Sequence, residues 1–124
     1  MRPNYVFAGL AVSDRTAAID WYSRLLGQPP GMLPNDDEAA WQLTETASLY
    51  ARVDPDRAGR GILTIVVEGL DQRLEELKLR GIQAIQVDVG DAGRKAVLGD
   101  PDGNRVEIVE LAFQTVTRRE PSSS

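Results

Sequence analysis

The chain contains the same pattern twice. The segment LAVSD at residues 10–14 leads into a helical pattern that ends at Gly27, and IVVEG at 65–69 leads into a second one that ends at Gly81. Short strand candidates follow each glycine, so each half reads as a strand, a helix and further strands. An open sheet with one helix leaves its other face uncovered, and pairing two units solves this problem. The repeat therefore predicts an α+β fold of two βαβββ modules, at 1–57 and 58–115, followed by a flexible tail at 116–124.

The first helix carries start and stop signals in its sequence. Ser13 and Asp14 are both residue types that cap helix N-termini, and Gly27 is typical of a helix end. Apolar residues between these signals recur at helical spacing, which predicts one face packed into the core. The residues of this face are Ala18, Trp21, Tyr22 and Leu25.

Composition restricts the chemistry that the chain can perform. Its 124 residues include no histidine and no cysteine, so nucleophile–histidine pairs, thiolate chemistry and sulfur-bound zinc are excluded. A net charge of -5 repels nucleic acid at long range, and no basic patch is interleaved with aromatic residues. The sequence has no apolar run of the roughly 20 residues that cross a bilayer, and no secretory signal. We therefore predict a cytoplasmic protein with neither a nucleic-acid nor a membrane partner.

The second half ends in a turn signal joined directly to a strand, DPDGNRVEIVE at residues 100–110. Pro101 suits the first central position of a tight turn and Gly103 tolerates a positive φ, so a hairpin should close here. In the strand, Val106 and Ile108 alternate with polar residues, which places Glu107 on the opposite face. Glu107 is therefore a candidate functional carboxylate.

On these segments the chain resembles the vicinal oxygen chelate superfamily, which includes glyoxalases, bleomycin-resistance proteins and extradiol dioxygenases. The resemblance rests on residues 10–27, on their echo at 65–81 and on the closing motif at 100–107, and it covers nearly the whole chain. It implies two βαβββ modules whose curved mixed sheets surround a ligand cavity, with the helices outside. It also implies a homodimer.

The same resemblance identifies the positions at which metal-dependent members carry their ligands. A histidine commonly lies three positions before the leucine of the first strand motif, where this chain has Phe7, and a second histidine opens the corresponding strand, where it has Ile62. Only the acid of the last strand is kept, as Glu107. Hydrocarbon side chains donate no lone pair to a metal ion, so we predict no metal and no cofactor.

Aromatic residues on the strands are the candidate walls of the cavity. If Phe7, Trp41 and Tyr50 face inward, they form flat apolar surfaces that suit a planar aromatic ligand. The alternative is that all three fill the core. Trp21 and Tyr22, by contrast, are predicted to be core residues of the first helix.

Two environments are open for Glu107. Its carboxylate can pair with an arginine, either Arg52 or Arg105, or bind a water molecule. If it lies instead in an apolar cavity beside Phe7 and Ile62, desolvation favours its neutral form, which is how a carboxylate becomes a proton shuttle near neutral pH.

The function that we predict from the sequence is metal-independent binding, by sequestration, of a small apolar or aromatic molecule. The ligand is expected to be aromatic or cationic, and the resemblance to resistance proteins implies protection against an antibiotic. One alternative is an enzyme of lyase, isomerase or dioxygenase type that uses Glu107 with unusual oxygen ligands or as a general base. The other is an interaction module whose pocket is filled with side chains. The predicted pocket residues are Phe7, Trp41, Tyr50, Arg52, Ile62 and Glu107.

Overall fold

The computed structural model describes residues 1–112 as two consecutive βαβββ units. The first module contains β1 (Val6–Val12), α1 (Arg15–Leu26), β2 (Met32–Asn35), β3 (Glu38–Thr44) and β4 (Ala47–Val53). The second contains β5 (Ile62–Val66), α2 (Leu70–Leu79), β6 (Gln86–Gly90), β7 (Gly93–Gly99) and β8 (Arg105–Leu111). The predicted module boundary after residue 57 falls in the connection between β4 and β5, and the predicted tail at 116–124 lies outside the described residues.

Each module forms its own four-stranded mixed sheet. The strand orders are β1-β4-β3-β2 and β5-β8-β7-β6, and the two sheets do not close on each other. In each sheet the first and last strands of the module are parallel, while the other neighbours are antiparallel. The predicted α+β fold of two βαβββ modules is therefore confirmed.

The predicted signals at both ends of α1 are confirmed. The Asp14 carboxylate accepts hydrogen bonds from the backbone N–H groups of Thr16 and Ala17, at 2.9 and 3.2 Å. Gly27 ends the helix with a φ of 71°, in the left-handed region that glycine enters without steric cost. In the described part of the chain, no helix combines the length and the apolar character needed to span a membrane.

One hydrophobic core lies on the helix side of both sheets. The predicted inner face of α1 is buried, and the Tyr22 ring lies 4.8 Å from that of Trp21 and 5.8 Å from that of Trp41 in β3. Leucines of α2, chiefly Leu70 and Leu77, belong to the same core. Because both helices pack on one side of their sheets, neither helix of residues 1–112 covers the other face of its sheet.

The turn at 100–104 joins the two modules. As predicted, it connects antiparallel neighbours, β7 and β8, with Gly103 at a φ of 90°. The buried Asn104 donates from Nδ2 to the backbone oxygen of Ala11 in β1, and its Oδ1 accepts from the backbone N–H of Gly61, both at 2.8 Å. A single amide side chain thus links the end of β1 to the start of the second module.

Candidate functional site

The candidate site consists of the sheet faces that the helices leave uncovered, called here the open faces. Side chains alternate between the two faces of a strand, so the residues opposite to the buried core positions share the open face. The open face of the first sheet carries Phe7, Tyr50 and Arg52, and that of the second sheet carries Ile62 and Glu107. The structure therefore brings five of the six predicted residues to open faces.

The open face of the first sheet carries a row of aromatic rings. Phe7 has 56% of its surface exposed, and its ring centre lies 5.0 Å from that of Tyr5 and 6.4 Å from that of Tyr50. The Tyr5 hydroxyl is 2.6 Å from Oγ of Ser48, which holds that ring beside the sheet. The row thus presents an exposed apolar surface between two anchored tyrosines.

Tyr50 lies between a glycine and an arginine. A Cβ atom built on Gly9 would lie 2.4 Å from Cζ of Tyr50, so the phenol end of this ring occupies the space that a side chain at position 9 would need. The guanidinium carbon of Arg52 lies over the ring, 5.2 Å from its centre. Arg52 Nε donates to a carboxylate oxygen of Glu38 at 2.6 Å, and this contact raises the pKa of Arg52.

The open face of the second sheet has a different character, with an exposed Ile62 and a Glu107 carboxylate surrounded by donors. Ile62 has 69% of its surface exposed. Oε1 of Glu107 accepts from the Thr64 hydroxyl at 3.2 Å, and Oε2 accepts from Nε of Arg105, with Nζ of Lys95 at 3.9 Å. Both carboxylate oxygens are therefore engaged.

These contacts decide between the two environments proposed for Glu107. The hydrogen bond from Arg105 is the largest influence and lowers the pKa of Glu107; desolvation opposes it, and the Thr64 hydroxyl and the charge of Lys95 add to the lowering. The expected pairing with an arginine is confirmed for Arg105. The prediction of a neutral, proton-shuttling carboxylate is wrong, because two cations stabilise its charged form.

Trp41 does not lie on an open face, which corrects its predicted place in the pocket wall. Trp41 pairs with the buried Leu49 across β3 and β4, so its side chain points to the core side of the sheet. It is 0% exposed. Its ring packs against Tyr22 of α1. The strand pattern alone did not decide which face of the sheet carries Trp41. In the structure its ring lies on the helix side, where the buried Tyr22 is its packing partner.

The residues at the open faces do not fit a metal ion. Phe7 and Ile62 offer hydrocarbon only, and both oxygens of Glu107 already accept hydrogen bonds from the protein. Within residues 1–112, no cluster of three or more carboxylates has the arrangement that could hold an ion.

Comparison of the two modules relates the site residues to one another. Gly9 pairs with Tyr50 in the parallel ladder of the first sheet, and Thr64 pairs with Glu107 in that of the second. Since Gly9 follows Phe7 by two positions and Thr64 follows Ile62 by two, Tyr50 occupies in the first module the place that Glu107 occupies in the second. This equivalence depends on the register between the parallel strands.

Sequence reasoning missed three contributors to the open faces. They are Tyr5, Thr64 and Lys95. The period of two along a strand could have found Tyr5, two residues before Phe7, and Thr64, two residues after Ile62. Lys95 had no such signal, because its approach to Glu107 depends on the pairing of β7 with β8.

The two open faces remain separate in the described part of the chain. Among residues 1–112, no hydrogen bond, ion pair or ring contact joins the group of Phe7, Tyr50 and Arg52 to the group of Ile62 and Glu107. An open cleft of about 460 Å³ adjoins Glu107, and the β6–β7 hairpin at 88–93 forms much of its wall. Phe7 and Ile62 do not line this cleft.

Comparisons with known proteins agree on the fold. A crystal structure of a glyoxalase/bleomycin resistance protein from Catenulispora acidiphila DSM 44928 is 39% identical, with 86% of this chain and 97% of that chain covered at a TM-score of 0.82. TnmS3, an antibiotic-binding protein from Streptomyces sp. CB03234, is 22% identical, with 90% and 97% covered at a TM-score of 0.72. The oxidase ChaP-H1 is 20% identical, with 89% and 95% covered at a TM-score of 0.67.

Sequence comparison supports the same assignment. A search among proteins of curated function finds no match. The family model described as "Glyoxalase/Bleomycin resistance protein/Dioxygenase superfamily" matches residues 3–108, which include both βαβββ modules up to Ile108 in the last strand. The chain therefore belongs to the glyoxalase/bleomycin resistance protein/dioxygenase superfamily.

Proposed function

We propose that this protein binds a small, largely apolar or aromatic molecule at its open faces and that it does so without a metal ion. The observation that carries this proposal is the row of Tyr5, Phe7 and Tyr50, in which Phe7 is more than half exposed although it lies within a strand. Exposed aromatic rings on a rigid sheet provide stacking surfaces at little cost in conformational entropy.

A homodimer is part of this proposal. Phe7 and Ile62 are large apolar side chains on strands, and both are strongly exposed. Water contact with such side chains is unfavourable, and their burial contributes roughly 1.5–3 kcal/mol each. A second copy that packs over the open faces would cover them and, in the same step, enclose the ligand.

The structural neighbour TnmS3, an antibiotic-binding protein, supports an antibiotic-like small molecule as the ligand.

An enzymatic function has weaker support in the geometry. The lowered pKa of Glu107 keeps it ionised and paired with Arg105, which makes it a poor proton acceptor near neutral pH. A carboxylate in these contacts is better suited to hold the strands of the second sheet in place.

A fluorescent probe tests the proposal. Trp21 and Trp41 are both core residues, so quenching of tryptophan fluorescence is a poor reporter of the open faces. The neutral dye N-phenyl-1-naphthylamine, which brightens in apolar surroundings, reports binding directly. We expect saturable binding that Phe7→Ala weakens about tenfold, because it removes one buried aromatic contact.

Leu79→Ala is the matched control for this experiment. Leu79 is a strongly exposed apolar residue at the end of α2 and lies outside the open faces. The dye affinity should be unchanged in this variant. Binding that does not saturate, or equal losses in the Phe7 and Leu79 variants, would refute the proposed site.

A further inference from the structure

Arg52 has an unusual place next to the aromatic row. Its position follows that of Tyr50 by two, so both side chains project from the same face of β4. The guanidinium carbon lies 5.2 Å from the Tyr50 ring centre, and that ring centre lies 6.4 Å from the Phe7 ring centre. A flat bicyclic molecule that stacks on Phe7 and continues over Tyr50 would reach the guanidinium.

Glu38 holds Arg52 by one nitrogen only. The hydrogen bond of 2.6 Å to the Glu38 carboxylate comes from Nε of Arg52, and more than half of the arginine side chain is exposed. Among the described residues, Glu38 is the acceptor that this guanidinium bonds. The two Nη groups thus remain available as a planar pair of donors, the arrangement that binds a carboxylate in a bidentate manner.

The charged groups around Arg52 do not remove this capacity. Glu38 neutralises it in part, Asp54 is close enough to raise the pKa of Arg52 slightly, and Nε of Arg15 donates to the backbone oxygen of Glu38. On the second sheet the Glu107 carboxylate already has three partners. The carboxylates of Glu38 and Glu107 are thus each already paired with a cation, whereas an anion meets free donors on Arg52.

We infer that the open face of the first sheet is specific for a planar aromatic molecule that carries an acidic group, and that Arg52 is the specificity-determining residue. The aromatic part stacks on Phe7, and the carboxylate accepts hydrogen bonds from the Nη groups of Arg52. Glu38 acts as a positioning residue, because its hydrogen bond to Nε directs the remaining donors. This inference rests on the proposed function of small-molecule binding.

Three probes with one ring system and different charges test it. They are 2-naphthoate, 2-naphthylmethanol and 2-naphthylmethylammonium, which are anionic, neutral and cationic at pH 7. Isothermal titration calorimetry gives each affinity. We expect naphthoate to bind about tenfold more tightly than the alcohol, since charge-assisted hydrogen bonds are worth about that factor, and the ammonium probe to bind most weakly.

Arg52→Gln should abolish the preference for naphthoate, so that naphthoate binds no more tightly than the alcohol does. Arg57→Gln is the matched control, because it removes the same charge from an exposed turn. Preference for naphthoate should survive there. Equal affinity of naphthoate and the alcohol, or an unchanged preference in Arg52→Gln, overturns the inference while leaving the proposed function intact. Failure of all three probes to bind overturns the proposed function and the inference together.

Discussion

Gly9 is the residue whose identity matters most for the shape of the first open face. It pairs with Tyr50 across the parallel strands β1 and β4, and its missing side chain leaves the space that the tyrosine ring occupies. The φ of Gly9 is not in the left-handed region, so the need for glycine is steric rather than conformational. A single absent Cβ thereby sets the position of an aromatic ring beside the ligand surface.

We predict that Gly9→Ala lowers the free energy of unfolding by about 1–3 kcal/mol, because the new methyl group and the Tyr50 ring cannot share one volume. In a Tyr50→Ala background the same substitution should cost much less, which gives a coupling of about 1 kcal/mol or more. Urea unfolding measures all four proteins. Gly31→Ala is the control, since no atom lies within 4 Å of its added Cβ. A Gly9→Ala cost that persists without Tyr50 would contradict this account.

Tyr22 provides a prediction on pH. The pKa of Tyr22 is raised far above its usual value, chiefly by burial of the phenol. The hydrogen bond of 2.7 Å that the phenol donates to Asp100 and the negative charge of Asp100 add to this increase. The folded state therefore keeps the phenol proton, while the unfolded state loses it above about pH 10. This contribution to stability is fully present below pH 10 and is lost as pH rises further, by roughly 1.4 kcal/mol per pH unit.

Tyr22→Phe removes this dependence. At pH 8 the variant should be less stable by about 1 kcal/mol, the usual value of a lost hydrogen bond. Between pH 8 and 11 the wild type should lose roughly 1.4 kcal/mol of tyrosine contribution that the variant does not have, so the deficit should disappear by pH 11. Urea unfolding at pH 8, 10 and 11 measures both proteins. A deficit that does not change with pH would show that the phenol ionises equally in both states.

At the scale of elements, the sequence predicted what local signals determine. The cap at Asp14, the end of α1 at Gly27 and the hairpin at Gly103 all depend on a few adjacent residues, and all are confirmed. The face of Trp41 and the partners of Glu107 depend on which strands pair and in which register. No local pattern contains that information, so the core position of Trp41 and the approach of Lys95 to Glu107 appear only in the fold.

The link between the modules yields a prediction about Asn104. Replacement by alanine removes the side-chain partner of the half-buried backbone groups of Ala11 and Gly61 and a hydrogen bond to the buried Asp100 carboxylate. We predict a loss of about 2–4 kcal/mol in the free energy of unfolding, because unsatisfied buried polar groups incur their full desolvation cost. Asn4→Ala, at an exposed position near the N-terminus, should change stability by less than about 0.5 kcal/mol. Similar small effects for both variants would show that the modules do not depend on this link.

At the scale of the whole molecule, the two open faces give the proposed homodimer a specific form. Each copy carries the exposed Phe7 on one sheet and the exposed Ile62 on the other. A twofold dimer contains each of them twice, so a change at these two positions acts on four side chains of the assembly. Charges placed there would be buried without partners if the second copy covers the open faces.

We therefore expect sedimentation equilibrium to show a dimer for the wild type at about 10 μM, and a monomer for the double variant Phe7→Glu and Ile62→Glu. Four lost apolar contacts, at roughly 1.5–3 kcal/mol each, are enough to weaken a micromolar dimer beyond detection. Leu79→Glu adds a charge at an exposed leucine outside the open faces and should leave the dimer intact. If the wild type is monomeric, or if the double variant remains dimeric, a second copy does not cover these faces. The exposed rings would then meet only ligand or water.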